Sequence, residues 1–367
     1  MGSLEKRIWI HTLCIIGMGL MALYSASFQN IRVTQEVFYD QMVCGLLGWG
    51  FMYYLKRIDY RKFYDAAYIF YIFNILLLIF VLGMGRYALG ARRWIEIGAI
   101  SFQPSELAKL SLIFALGRYF SNRRPALSFN FLSRAQLLFR DLIFPFFFTA
   151  VSMILVFKQP DLGSSLVLFG IFLVMLFASG LEYRYLIGFA GTCLALLPLA
   201  WHLLKDYQKD RLLVFLNPNI DPLGAGYTII QSKIAIGSGQ WLGKGWLSGT
   251  QNQLNFLPER HTDFIFSVIG EEGGLLGALI LIYCYFVLID CGFKIIEQTK
   301  DKFGMFVAIG IIGNLSLQVI INVAMVMGLC PVVGITLPLV SWGRSSLLVS
   351  MIMIGFLLNL NRKRMMT

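Results

Sequence analysis

Glu259, Arg260, His261 and Asp263 gather within a few residues of one another, where a loop enters a long apolar run. A carboxylate flanked by a cation suits general-base work: the anionic oxygen takes a proton from a hydroxyl, and the cation steadies negative charge that develops nearby. Thr262 or Asp263 could equally cap the helix that the apolar run begins.

Further polar residues interrupt otherwise apolar stretches, where ionisable groups are costly and default to function. Glu106 and Lys109 stand at i, i+3 and share a helix face, so they can pair. The pair reads either as a buried structural bridge or as the charged floor of a hydrophilic cavity. Asn314, Gln318 and Asn322 recur every four residues and form one polar stripe, read as interhelical hydrogen bonding. Asp161, in Asp161-Leu162-Gly163-Ser164-Ser165, reads as a helix cap or a substrate contact. Arg86, Arg92 and Arg93 lie together between two apolar runs, as an anion site or as side chains snorkelling to headgroups.

The elements that must position these groups are membrane helices. Of 367 residues, 57% are hydrophobic and 14% charged, and the mean hydropathy is +0.71. Soluble domains carry about 25% charged residues, so this chain has too little polar surface to cover a soluble core. In lipid, backbone groups are satisfied only within helices or closed barrels, and continuous apolar runs select helices. The fold class is therefore all-α, a polytopic membrane protein of about ten transmembrane helices. The spans are expected near 8–26, 39–55, 66–83, 102–120, 142–157, 164–180, 184–204, 264–290, 305–328 and 334–358. The first follows Lys6 and Arg7 and ends in Ser25-Ala26-Ser27, which mimics a signal peptide. With so many spans behind it, it reads as an uncleaved helix.

The net charge of +11 falls in short clusters between the runs, and no basic stripe interleaved with aromatics points to nucleic acid. Lys56, Arg57, Arg61, Lys62, Arg118, Arg123, Arg124, Arg134, Arg140, Lys294, Lys300, Lys302, Arg362, Lys363 and Arg364 share one side with Lys6 and Arg7. By the positive-inside rule both termini are then cytoplasmic. Residues 1–367 read as a single transmembrane domain, with one long extracytoplasmic loop at roughly 205–263. Within it, Tyr227 to Ile236 is apolar enough to lie flat on a membrane. Cys14, Cys44, Cys193, Cys284, Cys291 and Cys330 form no CxxC pair and read as small buried apolar residues; with only His11, His202 and His261 besides, a zinc site is not expected.

Several segments resemble the SEDS family (shape, elongation, division, sporulation). They are Gly90-Ala91-Arg92-Arg93-Trp94-Ile95, Phe102-Gln103-Pro104-Ser105-Glu106-Leu107-Ala108-Lys109 and Gln159-Pro160-Asp161-Leu162-Gly163-Ser164-Ser165. Later come Gly224-Ala225-Gly226-Tyr227 through Gln231-Ser232, Gly243-Lys244-Gly245-Trp246, Phe256 through Gly273, and Gly334-Ile335-Thr336-Leu337-Pro338-Leu339-Val340-Ser341. Glu-Arg-His-Thr-Asp-Phe at 259–264 resembles the elongation branch, whereas the division branch more often has Glu-Ala-His-Thr-Asp-Phe. The family usually continues Ser-Tyr-Gly-Gly-Ser-Ser where this chain has Ser341-Trp342-Gly343-Arg344-Ser345-Ser346. A bulky cation thus replaces a glycine, either adding a phosphate contact or narrowing the cavity.

The resemblance implies a peptidoglycan glycosyltransferase of the cytoplasmic membrane of bacteria, acting in cell-wall elongation. Its substrates would be lipid II and the lipid-linked nascent glycan, joined β-1,4 with inversion. It implies Asp263 as the general base. Arg92, Arg93, Glu106, Lys109, Asp161, Lys244, Arg260, His261, Ser341, Arg344 and Ser345 would form the substrate site. Positive charge at the diphosphate leaving group would come from Arg92, Arg93, Lys109, Arg260 or a divalent cation, Mg or Mn. The implied partners are a class B penicillin-binding protein, the crosslinking transpeptidase, and other elongation-machinery proteins. A lipid II flippase and a noncatalytic scaffold are the rival readings.

Overall fold

The computed structural model describes residues 2–28, 31–88, 91–97, 100–123, 139–222 and 224–364. Arg124 and Arg134 of the basic clusters lie outside the described residues. Helices follow the ten expected apolar runs: α1 (Ser3–Ser27), α2 (Ile31–Leu55), α3 (Arg61–Met84), α4 (Pro104–Ser121), α5 (Phe144–Lys158), α6 (Leu162–Ala178) and α7 (Tyr183–Leu203). Then come α8 (Asp206–Leu216), α9 (Ala225–Gly239) and the short α10 (Thr250–Gln253), followed by α11 (Ile265–Gln298), α12 (Lys302–Val326) and α13 (Arg344–Arg364). Among the described residues, six segments have the length and composition to cross a membrane: α1, α3, Arg140–Lys158, α11, α12 and Arg344–Arg362. The chain is a multi-pass helical membrane protein.

Three features depart from the sequence expectations in detail. A small antiparallel sheet, β1 (Arg86–Ala88), β2 (Ala91–Ile97) and β3 (Ile100–Phe102), in the order β1-β2-β3, occupies the segment before α4. Arg86 faces Trp94 and Ile95 faces Phe102 across its two ladders. α4 therefore begins at Pro104, a first-turn proline that gives up no hydrogen bond there. The tenth long helix starts at Arg344 rather than 334, because a segment holding Pro331, Gly334 and Pro338 precedes it and is not helical. Among its described residues, the loop at 205–263 carries three α-helices and a 3-10 turn at Pro218–Ile220. α9 packs lengthwise along the start of α11, where Ser232 Oγ meets Ser267 Oγ at 2.9 Å and donates to the Val326 carbonyl at 2.6 Å. Those buried hydroxyls tie its polar face to protein.

The chain divides into two compact units. One comprises Met1–Tyr54, Leu204–Cys291 and Leu315–Ile352; the other comprises Leu55–Leu203, Gly292–Asn314 and Met353–Thr367. In the second unit, Phe63, Phe114 and Phe356 pack ring against ring, with centroids 4.7–5.8 Å apart. In the first, α1 runs close against Val340, whose Cα would lie 2.8 Å from a Cβ at Gly19.

Candidate active site

Asp263 is half-buried, one residue before the buried Phe264 and two before the start of α11 at Ile265. The motif that carries it is strapped to the irregular segment 334–343. Asn322, fully buried on α12, donates from Nδ2 to the Asp263 carbonyl at 2.9 Å and to the Ile335 carbonyl at 2.7 Å. Ser341 Oγ donates to the Thr262 carbonyl at 2.5 Å and accepts from the Leu337 amide at 2.8 Å. The Trp342 amide donates to the His261 carbonyl at 2.8 Å. Gln41 of α2 adds a bond from Nε2 to the Ser341 carbonyl at 3.0 Å. With the backbone so fixed, the Asp263 carboxylate rests against Gly334, where a Cβ would stand 3.3 Å from Oδ2.

The neighbouring cation is held as firmly. Arg260 donates from Nε to the Ala26 carbonyl at 2.7 Å and from Nη1 to the Asn252 carbonyl at 2.9 Å. Both acceptors are neutral, so the guanidinium keeps its positive charge unneutralised by them, while burial pulls its pKa down. Burial, and then the charge of Arg260, lower the His261 pKa to about 4, so His261 is neutral at pH 7. The arrangement is a fixed carboxylate, a neutral imidazole and a guanidinium on one short strapped segment. It can take a proton from a hydroxyl and stabilise negative charge.

The other expected residues divide by unit. With Asp263, Arg260, His261 and Ser341 in the first unit stand Lys244, Arg344 and Ser345. Lys244 Nζ pairs with the buried Glu271 at 2.8 Å and bonds Thr250 Oγ1 at 2.7 Å. Arg344 pairs with Asp40, Nε lying 3.0 Å from Oδ2, so the cation in place of the family glycine arrives with an anion beside it. Ser345 is buried in the first turn of α13. In the second unit, Lys109 Nζ meets Glu106 Oε1 at 2.7 Å with both side chains buried. Asp161 caps α6 by accepting from the Ser164 amide at 3.0 Å. Arg93 holds the turn before that cap through the Gln159 carbonyl, at 3.0 Å, and the Pro160 carbonyl. Arg92 donates to the Gly83 carbonyl at 2.9 Å. Among the described residues, no group of three or more His, Cys, Asp or Glu side chains is placed to hold a metal ion.

Sequence reasoning missed Gln41 and the buried Glu271, and it read Asn322 only as part of a stripe. Glu271 accepts from Lys244, from Thr250 Oγ1 and from the amides of Gln251 and Asn252. Its place beside Glu272 between glycines was the available signal, since two adjacent acids within an apolar run demand partners.

The FtsW/RodA/SpoVE family profile, described as a cell cycle protein, matches residues 5–366. The peptidoglycan glycosyltransferase MrdB of Escherichia coli K12 is 39% identical over 373 residues, covering 99% of this chain and 95% of the relative. A probable peptidoglycan glycosyltransferase FtsW of Geobacter metallireducens is 36% identical, covering 94% and 91%. Among solved structures, a chain from a study of how a peptidoglycan synthase complex coordinates polymerization and crosslinking superposes with TM-score 0.80 at 34% identity, covering 97% of both chains. The rod shape determining protein RodA of Thermus thermophilus superposes with TM-score 0.70 at 29% identity, covering 97% of this chain and 96% of that one. The motifs that resemble SEDS proteins are thus matched along nearly the whole chain, which belongs to the FtsW/RodA/SpoVE family.

Proposed function

We propose that this protein is a peptidoglycan glycosyltransferase of the elongation branch, polymerising lipid II into β-1,4 glycan strands with Asp263 as general base. The observation that carries this reading is the strapped Asp263 segment. Bonds from Asn322, Ser341 and Trp342 fix the backbone on which the carboxylate sits. A general base must be held to within hydrogen-bond reach of the proton it takes, and this segment has few ways to move.

In the proposed step, Asp263 takes the proton of the 4-hydroxyl of the acceptor sugar. That oxygen attacks the anomeric carbon of the donor glycan, and the bond from that carbon to the diphosphate oxygen breaks. The lipid diphosphate leaves with the electron pair. Attack opposite the leaving group turns the α-linked donor into a β-linked product. Arg260 is the cation nearest Asp263 in sequence and is assigned to negative charge on the leaving group or on the substrate. Arg92, Arg93, Glu106, Lys109 and Asp161 lie in the other unit, and the family motifs they occupy are what support a role for them. A class B penicillin-binding protein is the proposed partner, and the cytoplasmic membrane, with both termini cytoplasmic, the proposed location.

Purified protein given labelled lipid II tests the assignment. Asp263→Asn should fold normally and lose polymerisation by about 100-fold or more, the usual range for a general base. A well-folded Asp263→Asn sample with near-normal polymer yield would rule out the assignment. Lipid II crossing the bilayer without polymer forming would favour a transporter.

A further inference from the structure

An apolar groove of about 590 Å³ runs along the first unit between α9, α11 and Met327. Ile236, Trp241, Phe266, Leu279, Ile282 and Met327 line it. Its α11 residues run from Phe266 to Ile282, on both sides of the helix break at Gly274. At the Met327 end stands Lys233 of α9, one turn before Ile236 and Gly237 and so on the same helix face. Its side chain lies over Gly328, where a Cβ would be 2.7 Å from Nζ. Lys233 is exposed, and among the described residues no carboxylate pairs with it. An unneutralised ammonium at one end of a long apolar groove is complementary to an amphiphile with an anionic head.

We propose that this groove binds one acyl chain of an anionic membrane phospholipid, with its phosphate at Lys233. The groove's volume matches a fatty acyl chain more closely than a polyprenyl tail. At roughly 30 Å³ per water-sized group, the groove holds on the order of twenty carbon-sized groups, one fatty acyl chain and far less than a polyprenyl tail. Bound lipid would wedge α9 against α11, the helix that Asp263 precedes. The proposal is independent of the polymerase assignment, and its test reads binding rather than polymer.

The full chain is reconstituted in phosphatidylcholine nanodiscs doped with acyl-brominated phosphatidylglycerol or acyl-brominated phosphatidylcholine. Trp241, exposed on the groove wall, reports bromine quenching as the difference between the native chain and Trp241→Phe. Brominated phosphatidylglycerol should half-quench that signal at about fivefold lower mole fraction than brominated phosphatidylcholine, the preference expected from one lysine near the surface. Lys233→Gln should abolish the preference and Lys233→Arg keep it. Undecaprenyl phosphate should not relieve the quenching. Equal quenching by the two lipids, an unchanged preference in Lys233→Gln, or relief by undecaprenyl phosphate would each overturn the proposal.

Discussion

At the scale of single residues, the site is defined by which groups carry charge at neutral pH. His261 stays neutral because burial and the adjacent guanidinium of Arg260 both oppose a second positive charge. A neutral imidazole leaves Arg260 as the cation of the motif. It also ties stability to pH. The unfolded chain binds a proton on His261 near pH 6.5, whereas the native chain resists it down to about pH 4. The unfolded state therefore holds more protons throughout that window. His261 costs the fold nothing above about pH 6.5, and its drag on stability grows as pH falls from there towards 4, reaching of order 2 kcal/mol by pH 5. Melting temperatures of the solubilised protein should decline from pH 7 to pH 5, and His261→Gln should flatten that decline. An identical slope in the variant would mean that His261 is accessible to protons in the native state.

At the scale of elements, one broken helix organises the first unit. α11 departs from helical geometry at Gly274 (φ 62°, ψ −162°), a backbone conformation open essentially to glycine alone. The break frees carbonyls and amides, and the segment after α9 satisfies them. Lys244 and Gly245 donate to the Glu271 and Glu272 carbonyls at 3.0 and 3.1 Å, while Leu275 and Leu276 donate to the Gln240 and Trp241 carbonyls at 2.8 and 3.1 Å. The approach is so close that a Cβ at Gly274 would stand 2.3 Å from the Gly243 nitrogen. Gly274→Ala should therefore destabilise the protein by about 3 kcal/mol or more, seen as a lower melting temperature and a poorer monodisperse yield. Gly273→Ala, whose Cβ would meet nothing within 4 Å, should be near neutral, and equal behaviour of the two variants would remove the break from the account. This interlock also shows what the sequence could and could not convey. Apolar runs betray helices because lipid permits little else, and Pro104 and Asp161 marked real helix starts. The sheet at 86–102 was hidden because two of its strands have three residues each, too few for alternation to register. The straps on Asp263 were hidden because a bond from Asn322 to a carbonyl 59 residues away leaves no local trace. Asp161, open between cap and substrate contact in the sequence, makes the cap bond.

At the scale of the whole molecule, the distribution of positive charge should decide orientation. The net charge is +11, and short Lys and Arg clusters stand beside α1, between α2 and α3, after α4, between α11 and α12, and at the end of α13, while Lys205, Lys209, Arg211, Lys233, Lys244 and Arg260 are spread over the long 205–263 connection. Short basic loops resist translocation, whereas long loops cross largely regardless of charge, so with ten crossings the short basic clusters share one side. The exception among the short connections is the β1–β2 segment with Arg86, Arg92 and Arg93. Glu96 neutralises Arg86, while Arg92 and Arg93 bond carbonyls of Gly83, Gln159 and Pro160, which hold the side chains in place and leave their charge. On the proposed topology the Asp263 segment would lie on the side opposite the basic clusters, where a lipid-linked cell-wall precursor would be polymerised. Truncated fusions to alkaline phosphatase, which is active only outside the cytoplasm, test this directly. A fusion after Leu254 should be active and one after Thr299 inactive, while a fluorescent protein after Arg364 should mature. Activity after Thr299, or silence after Leu254 with the fusion intact, would place Asp263 on the cytoplasmic side and remove the base from its proposed substrate.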